Sequence, residues 1–288
     1  MYKVLVLGSS GILGNQIYKE LLKINNINLY HTGLKKKKLD FTIINELEKY
    51  LLKINPDLII NCIAYTNIEK CEKFKFISKK INFGIVNNIF KIKAKKKLNF
   101  KLIHFSTDQF YNKKKQKFSK ETSKLFILNN YSKHKRMAEL KCIKNNCLIF
   151  RTNFFGKSIK NKTFSDWIFN SFKKNFFFYL INDVYFNPLR ITTIAKIISF
   201  IIIKKKYSFN GLYNLGSRDG ILKSEFALVF AKKIGIINNN YKYIKANKLL
   251  KVKRSNNMLM DVGKFEKKFK YILPTLKAEI KNEVFNYI

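Results

Sequence analysis

The first half of the chain alternates short apolar runs with longer segments whose apolar residues recur at helical spacing. Val4–Leu7 precedes a helical pattern over Ile12–Ile24, Asn28–His31 precedes one over Ile43–Ile54, and Leu58–Cys62 precedes one over Ile77–Phe90. Leu102–Phe105, a polar loop, a helix over Asn130–Leu140 and a buried strand over Cys147–Phe150 continue the series. Strands that alternate with helices predict a parallel sheet. Pro56 ends the second helix, so Pro56-Asp57 marks entry into the third strand. Beyond Arg151 the rhythm loosens into an aromatic stretch over Phe164–Phe178, a helix over Thr192–Ile203, a strand over Leu212–Leu215 and a helix over Lys223–Ile234. The expected fold is α/β: a Rossmann-type doubly wound parallel sheet with a smaller C-terminal α/β substrate lobe. Residues 1–152 form the dinucleotide-binding domain in this reading and 153–288 the substrate-binding lobe, with some of its segments returning to the sheet.

Length and composition support a folded protein, since 288 residues of which 47% are hydrophobic can bury a substantial core. The formal net charge of +40 first suggests a nucleic-acid partner. Only five basic residues are arginine, however: Arg136, Arg151, Arg190, Arg218 and Arg254. Arginine is the residue suited to bidentate phosphate and base contacts. A lysine excess alongside abundant Ile, Asn, Phe and Tyr reads as A/T-rich codons filling tolerant surface positions, so no specific nucleic acid is expected. The runs Lys35–Lys38, Lys95–Lys97 and Lys113–Lys115 fall in predicted loops as solvated charge. Cys62, Cys71, Cys142 and Cys147 show neither a C-x-x-C pair nor a histidine cluster, which predicts reduced thiols and no metal site. The longest apolar stretch, Ile194–Ile203, is broken by Lys196 and is far shorter than the roughly 20 residues a membrane span needs. No secretory signal stands at Met1, so the expectation is a soluble cytoplasmic protein without a membrane partner. A homodimer is compatible with the sequence.

Gly8-Ser-Ser-Gly11-Ile12-Leu13-Gly14 joins the first strand to the first helix. In such a loop Gly8 permits a tight turn, Gly11 lets a pyrophosphate approach the backbone at the helix N-terminus, and Gly14 allows close helix–strand packing. These are three of only 11 glycines in the chain. The second strand is followed by Leu34-Lys-Lys-Lys-Lys38 and has no carboxylate before Asp40, a pattern that favours the 2′-phosphate of NADPH while leaving NADH open.

Carbonyl reduction needs a proton donor, a cation that eases its ionisation, and a hydroxyl to orient the carbonyl. Tyr-x-x-x-Lys on one helical face supplies the first two. With 15 tyrosines in so lysine-rich a chain the motif arises by chance as often as it occurs, at Tyr111/Lys115, Tyr131/Lys135 and Tyr241/Lys245. Context selects Tyr131/Lys135, because it opens a helix after the fourth strand. That strand ends in Ser106-Thr107-Asp108, at the carboxyl end where a cofactor crevice lies.

With these motifs in place, the chain resembles the extended short-chain dehydrogenase/reductases, and within them the dTDP-4-dehydrorhamnose reductase-like nucleotide-sugar reductases. The resemblance runs nearly end to end. It rests on Gly8-x-x-Gly11-x-x-Gly14, Asp40-Phe41, Pro56 to Glu72, Ser106-Thr107-Asp108, Tyr131-Ser-Lys-His-Lys135 and Arg151-Thr152, with Tyr65–Glu72 the most specific block. It implies NADPH-dependent reduction of a 4-keto nucleotide sugar for glycan precursor synthesis, with Thr107, Tyr131 and Lys135 catalytic. Cofactor contacts would come from Gly8, Gly11, Ile12, Leu13, Gly14, Asp40, Phe41, Ala64, Tyr65, Tyr131 and Lys135. Asp40 and Phe41 would border the adenine, or Phe41 and Ala64 would simply pack in the core; Asn82 would wall the active site. The nucleotide sugar would be met by Thr107, Asp108, Gln109, Phe154 and Arg254, the last at the diphosphate. Gln109 stands where the family carries Tyr, and Phe154 where it carries Trp, so the particular sugar is open. Two further readings keep the fold: an epimerase or dehydratase that retains NAD, and a non-catalytic regulatory subunit like that of methionine adenosyltransferase.

Overall fold

Short apolar runs, most of them buried on both faces, form the parallel sheet, with the more polar and partly exposed Ile27–His31 at its edge. β1 (Tyr2–Leu7), β2 (Ile27–His31), β3 (Leu58–Asn61), β4 (Lys101–Phe105) and β5 (Leu148–Thr152) pair in parallel, Val4 standing beside both Leu29 and Leu58, and Ile60 beside Ile103. With β6 (Gly211–Leu215) they make a six-stranded sheet in the order β6-β5-β4-β3-β1-β2. β3 and β5 are buried along their whole length, as strands covered by helices on both faces must be. The structure, a computed structural model, describes residues 1–32, 39–112, 117–159, 163–204, 208–236 and 238–288. The lysine runs Lys35–Lys38 and Lys113–Lys115 lie outside the described residues.

The crossovers of this sheet are α1 (Ile12–Leu21), α2 (Ile44–Ile54), a helical stretch of α3 (Ile68–Lys73), α4 (Lys75–Lys79) and α5 (Ile85–Lys95), then α6 (Asn130–Lys144) and α7 (Ile191–Lys204). The helix expected over Ile77–Phe90 therefore begins slightly earlier, at Lys75, is preceded by the separate short helix α3 that ends at the non-helical Phe74, and reaches Lys95, so Lys95 is a last-turn helix residue and not a loop residue. Two features hid this from the periodicity. α3 buries only Ile68 and Cys71, and Lys80–Gly84 widens into a π-helical turn that breaks the 3.6-residue repeat. α6 likewise outlasts Leu140 by a turn, and β5 starts at Leu148 because Cys147 still closes the α6 turn through its N–H to Cys142 O at 3.1 Å.

By internal contacts the chain divides into two units: residues 1–107, 129–151 and 192–212, and residues 108–128, 152–191 and 213–288. Each has its own core. In the first, Leu5, Leu7, Ile59, Leu102 and Ile149 of the sheet pack against Leu47, Leu51, Ile89 and Ala138 of the helices. The second is aromatic, with Phe155, Phe172, Phe178, Phe186, Phe226, Phe230 and Tyr287. Among the described residues no helix is long and apolar enough to cross a membrane.

One polar cluster is buried among the elements of the first unit. Glu139 of α6, fully buried, accepts hydrogen bonds from Ser106 Oγ at 2.8 Å, Arg151 Nε at 2.9 Å and Arg151 Nη2 at 2.7 Å, and also from Arg136. Burial opposes its ionisation, but the hydrogen bonds and charge of Arg151 outweigh that and hold its pKa below the ordinary carboxylate value.

Two stability predictions follow from these contacts. At Gly14 a Cβ would stand 2.3 Å from the carbonyl oxygen of Gly8. Helix propensity alone favours Gly14→Ala by about 1 kcal/mol, whereas the clash should make it destabilising by roughly 1–3 kcal/mol in chemical denaturation. Glu139→Gln leaves the buried Arg151 guanidinium without its counter-charge and should cost about 3–5 kcal/mol in the same measurement.

Candidate active site

The glycine loop is built as a cradle. Gly8 takes φ +81°, a left-handed conformation that glycine alone adopts without strain, and Gly14 lets α1 close onto the loop. Gly11 caps α1 without a side chain, and a Cβ there would meet only the Gly8 carbonyl oxygen, at 3.1 Å, so the helix N-terminus is open above it. No acidic residue stands in the first turn, leaving the positive end of the helix dipole uncompensated. Ile12 is partly exposed there, while Leu13 is turned into the core. The loop is fixed from the end of β2 by Thr32, which sequence reading passed over: its Oγ1 accepts Gly8 N–H at 2.9 Å and its carbonyl accepts the Ser9 hydroxyl.

The second predicted cofactor segment divides. Asp40 is exposed, and its carboxylate accepts both the N–H and the hydroxyl of Thr42, which lowers its pKa. Phe41 is buried in the core, its ring 5.5 Å from that of Tyr50. Ala64 is exposed and Tyr65 partly so. The backbone of Tyr65 is clamped by Asn82, whose Oδ1 accepts its N–H at 2.9 Å and whose Nδ2 donates to its carbonyl at 3.0 Å. The π-helical turn carries Asn82, and from it the hydrogen bonds continue to Ser78 Oγ at 3.3 Å and on to His134 Nδ1 at 2.8 Å.

That chain ends on α6 between Tyr131 and Lys135. α6 begins at Asn130 because Asn129 and Ser132 form a capping box, and Glu72 of α3 accepts both the N–H and the side-chain amide of Asn130, at 3.0 and 2.7 Å. Tyr131 is therefore in the first turn and Lys135 one turn later on the same face. Lys135 is 3% exposed, and its ammonium donates to the carbonyl oxygen of Phe105, the last residue of β4 and two before the buried Thr107. Burial brings the Lys135 pKa down to about 8, with Glu139 among the charges that resist the fall. The α6 ammonium is thus fixed at the carboxyl end of β4, with the tyrosine one turn before it on the same helix and the threonine two residues beyond the carbonyl it holds. The other two Tyr-x-x-x-Lys pairs lack this geometry. Tyr241 is in a strand, Tyr241–Ile244, and Tyr111 is a fully buried non-helical residue whose hydroxyl donates to Asn214 at 2.7 Å; its partner Lys115 lies outside the described residues.

The remaining predicted residues belong to the second unit. Asp108 is buried and accepts from Asn153 Nδ2 at 2.8 Å. Gln109 donates to Met258 Sδ at 2.7 Å, and its carbonyl accepts the hydroxyl of Ser255, next to the partly buried Arg254. Phe154, partly buried, pairs with Leu189 in a short parallel ladder. Arg254 borders a cavity of roughly 480 Å³ that Asn112, Asp183, Lys245, Lys253 and Asn256 help to line. Sequence reading passed over Thr32 and Ser78 and gave no role to Glu72 and His134, although both stand in its motifs, because all four act through backbone or buried partners distant in sequence. Only the Asn129-x-x-Ser132 cap left a local signal.

The chain is similar along its whole length to known proteins. A dTDP-4-dehydrorhamnose reductase of Salmonella typhimurium is 26% identical over 292 residues, covering 96% of this chain and 95% of that protein. The crystal structure of a dTDP-4-dehydrorhamnose reductase from Clostridium acetobutylicum superposes with a TM-score of 0.88 at 21% identity, covering 99% of each chain. That of the Bacillus anthracis dTDP-4-dehydrorhamnose reductase in complex with NADP does so with a TM-score of 0.87 at 20% identity over 100% of both. The RmlD substrate binding domain family matches residues 2–287, and the chain belongs to that family.

Proposed function

We propose that this protein is an NADPH-dependent reductase of a 4-keto nucleotide sugar, of the dTDP-4-dehydrorhamnose reductase type, serving glycan precursor synthesis. The observation that carries the reading is Lys135: a buried ammonium anchored to the end of β4 beside Thr107 and one helical turn from Tyr131. Full-length similarity to a reductase named for that reaction supports it.

The start of α1 fits a dinucleotide pyrophosphate, because an uncapped helix N-terminus below the side-chain-free Gly11 offers backbone N–H groups to an anion. Ala64 and Tyr65, held by Asn82, would border the cofactor, and Lys135 would hold the nicotinamide ribose. NADPH is preferred in this reading because no carboxylate stands between Asn28 and Lys38, and Thr32 rather than an acid closes β2. When bound, the reduced nicotinamide supplies the hydride to C-4. The carbonyl oxygen then takes a proton from the Tyr131 hydroxyl. Lys135 makes the resulting phenolate less costly, since a cation one turn away favours the charged form. The Thr107 hydroxyl donates to the same oxygen and fixes its direction. Asp108, Gln109, Phe154 and Arg254 would bind the sugar nucleotide.

The test is NADPH oxidation against dTDP-, UDP- and GDP-linked 4-keto sugars. One of them should be turned over, and Tyr131→Phe should lower kcat by about 10²–10⁴-fold while NADPH still binds. Undiminished turnover by Tyr131→Phe would overturn the mechanism. A pH profile checks the lysine separately. Lys135, with its pKa near 8, is charged below that pH and neutral above it, so kcat/KM should fall as pH rises through about 8. Arginine stays protonated across that range, and Lys135→Arg should therefore shift or remove this alkaline limb in whatever activity it retains.

A further inference from the structure

Cys142 and Cys147 are separated by four residues, a spacing that carries no redox or metal signature on its own. The end of α6 gives it one. Past Lys144, the last helical residue, the chain turns through Asn146, which takes a left-handed φ of +51°. Asn146 N–H donates to the Ile143 carbonyl and Cys147 N–H to the Cys142 carbonyl, both at 3.1 Å. These two bonds define a Schellman closure, in which the third residue from the helix end and the second residue beyond the cap bring their side chains together. Here both of those residues are cysteine. Standard bond lengths keep their Cα atoms within about 7 Å, and bending at the acceptor shortens this into the roughly 4.4–6.8 Å that a disulfide spans. The two side chains enter one packed cluster, with Phe100, Leu102 and Ala138, and both are free thiols.

The two thiols differ in their surroundings. Cys142 is 0% exposed and Cys147 3%. Burial pushes the Cys142 pKa well up and the hydrogen bond with Cys147 adds to this, so Cys142 stays protonated. Cys147 has a cation on its side. Lys93 of α5, partly exposed, donates its ammonium to the Phe100 carbonyl at 2.7 Å and lies 4.9 Å from the centroid of the Phe100 ring. Burial lowers the Lys93 pKa, and the charge of a Cys147 thiolate opposes that fall. A neighbouring cation favours the thiolate, which is the form of cysteine that reacts. The turn that covers the pair is exposed at Ile143, Lys144 and Asn146, so fraying of the last helical turn admits a small oxidant.

We propose that Cys142 and Cys147 form a dithiol site that hydrogen peroxide converts to a disulfide. The Cys147 thiolate attacks one peroxide oxygen, and its S–O bond forms as the O–O bond breaks. The departing hydroxide takes up the proton that Cys147 gave up and leaves as water, and Cys147 is left as a sulfenic acid. The Cys142 sulfur then displaces the sulfenic hydroxyl, which leaves as a second water with the Cys142 proton. Two thiols lose two electrons and two protons, and one peroxide becomes two waters. The bond staples the last turn of α6 to the residue before β5, and α6 is the helix that carries Lys135 and Glu139. The site stands apart from the reductase reading.

The test treats the folded full chain with hydrogen peroxide, alkylates the remaining thiols under denaturing conditions and maps the peptides without reductant. A Cys142–Cys147 link should appear and vanish with dithiothreitol. The oxidised chain should also unfold at a higher denaturant concentration than the reduced one, because the link restricts the unfolded chain. Cys142→Ala should leave Cys147 as a sulfenic acid that dimedone captures, whereas Cys147→Ala should leave Cys142 unoxidised. Peroxide that leaves both thiols of the wild-type chain free, or that links either of them to Cys62 or Cys71 instead, would overturn the pair. Capture at Cys142 in Cys147→Ala as fast as at Cys147 in Cys142→Ala would overturn the order of attack, and a link that lowers the unfolding midpoint would overturn the staple.

Discussion

The carboxylate of Glu139 is the constraint on which the candidate site depends. An ionised group with no exposed surface would cost several kcal/mol of solvation if left alone, so it is stable only with its oxygens fully engaged. Here they are engaged from α6 by Arg136, from β5 by Arg151 and from the residue after β4 by Ser106. Because those bonds are directional, they fix the position of α6 along the carboxyl ends of two neighbouring strands. Lys135 lies one turn before Glu139 and reaches the Phe105 carbonyl, while Thr107 directly follows Ser106. The elements that carry the proposed proton donor, its cation and the orienting hydroxyl are therefore held by one buried ion cluster, whose carboxylate also helps to keep Lys135 charged.

A second set of bonds ties the same helix to the loop after β3. Glu72 grips the start of α6, and Asn82, Ser78 and His134 link its first turns to the backbone of Tyr65. The π-helical turn matters here, because one extra residue in the turn shifts which side chains face inward, and Asn82 is 2% exposed there. Segments proposed to hold the cofactor and segments proposed to move the proton are thus parts of one hydrogen-bonded frame.

The use of arginine sharpens the meaning of the charge. In a chain that uses lysine nearly everywhere, Arg136 and Arg151 engage buried Glu139, and Arg190 lies 3.6 Å from Glu279 and 3.7 Å from Glu283, both buried. At Glu139 the planar fork of Arg151 satisfies a carboxylate that a single ammonium would leave partly unpaired, while Arg190 offers Glu279 and Glu283 its charge at longer range. Lysine is the tolerant choice for a solvated face, so the net charge of +40 says little about partners, while the placement of a few arginines says a good deal.

Local sequence determined much of this. Short apolar runs alternating with helical patterns made the parallel sheet legible from β1 to β5, although β2 is more polar than the rest and only partly buried. Gly8 and Gly14 announced a turn and a close approach that a side chain would forbid, and both are found so. Tyr131 and Lys135 could be singled out from two other matching pairs by the elements around them. What sequence could not supply was whatever depends on partners far apart in the chain. Helices α3 to α5 bury too few residues, and bend too irregularly, to leave a clean period. Phe41 looked the same as a core residue and as a ring beside adenine, until packing set it against Tyr50. Glu139, Thr32 and Asn82 are ordinary polar residues in the sequence. Burial alone turned Glu139 into the anchor of α6, because the cost of a charge is set by the solvent and counter-charges that only the folded chain brings to it or takes away.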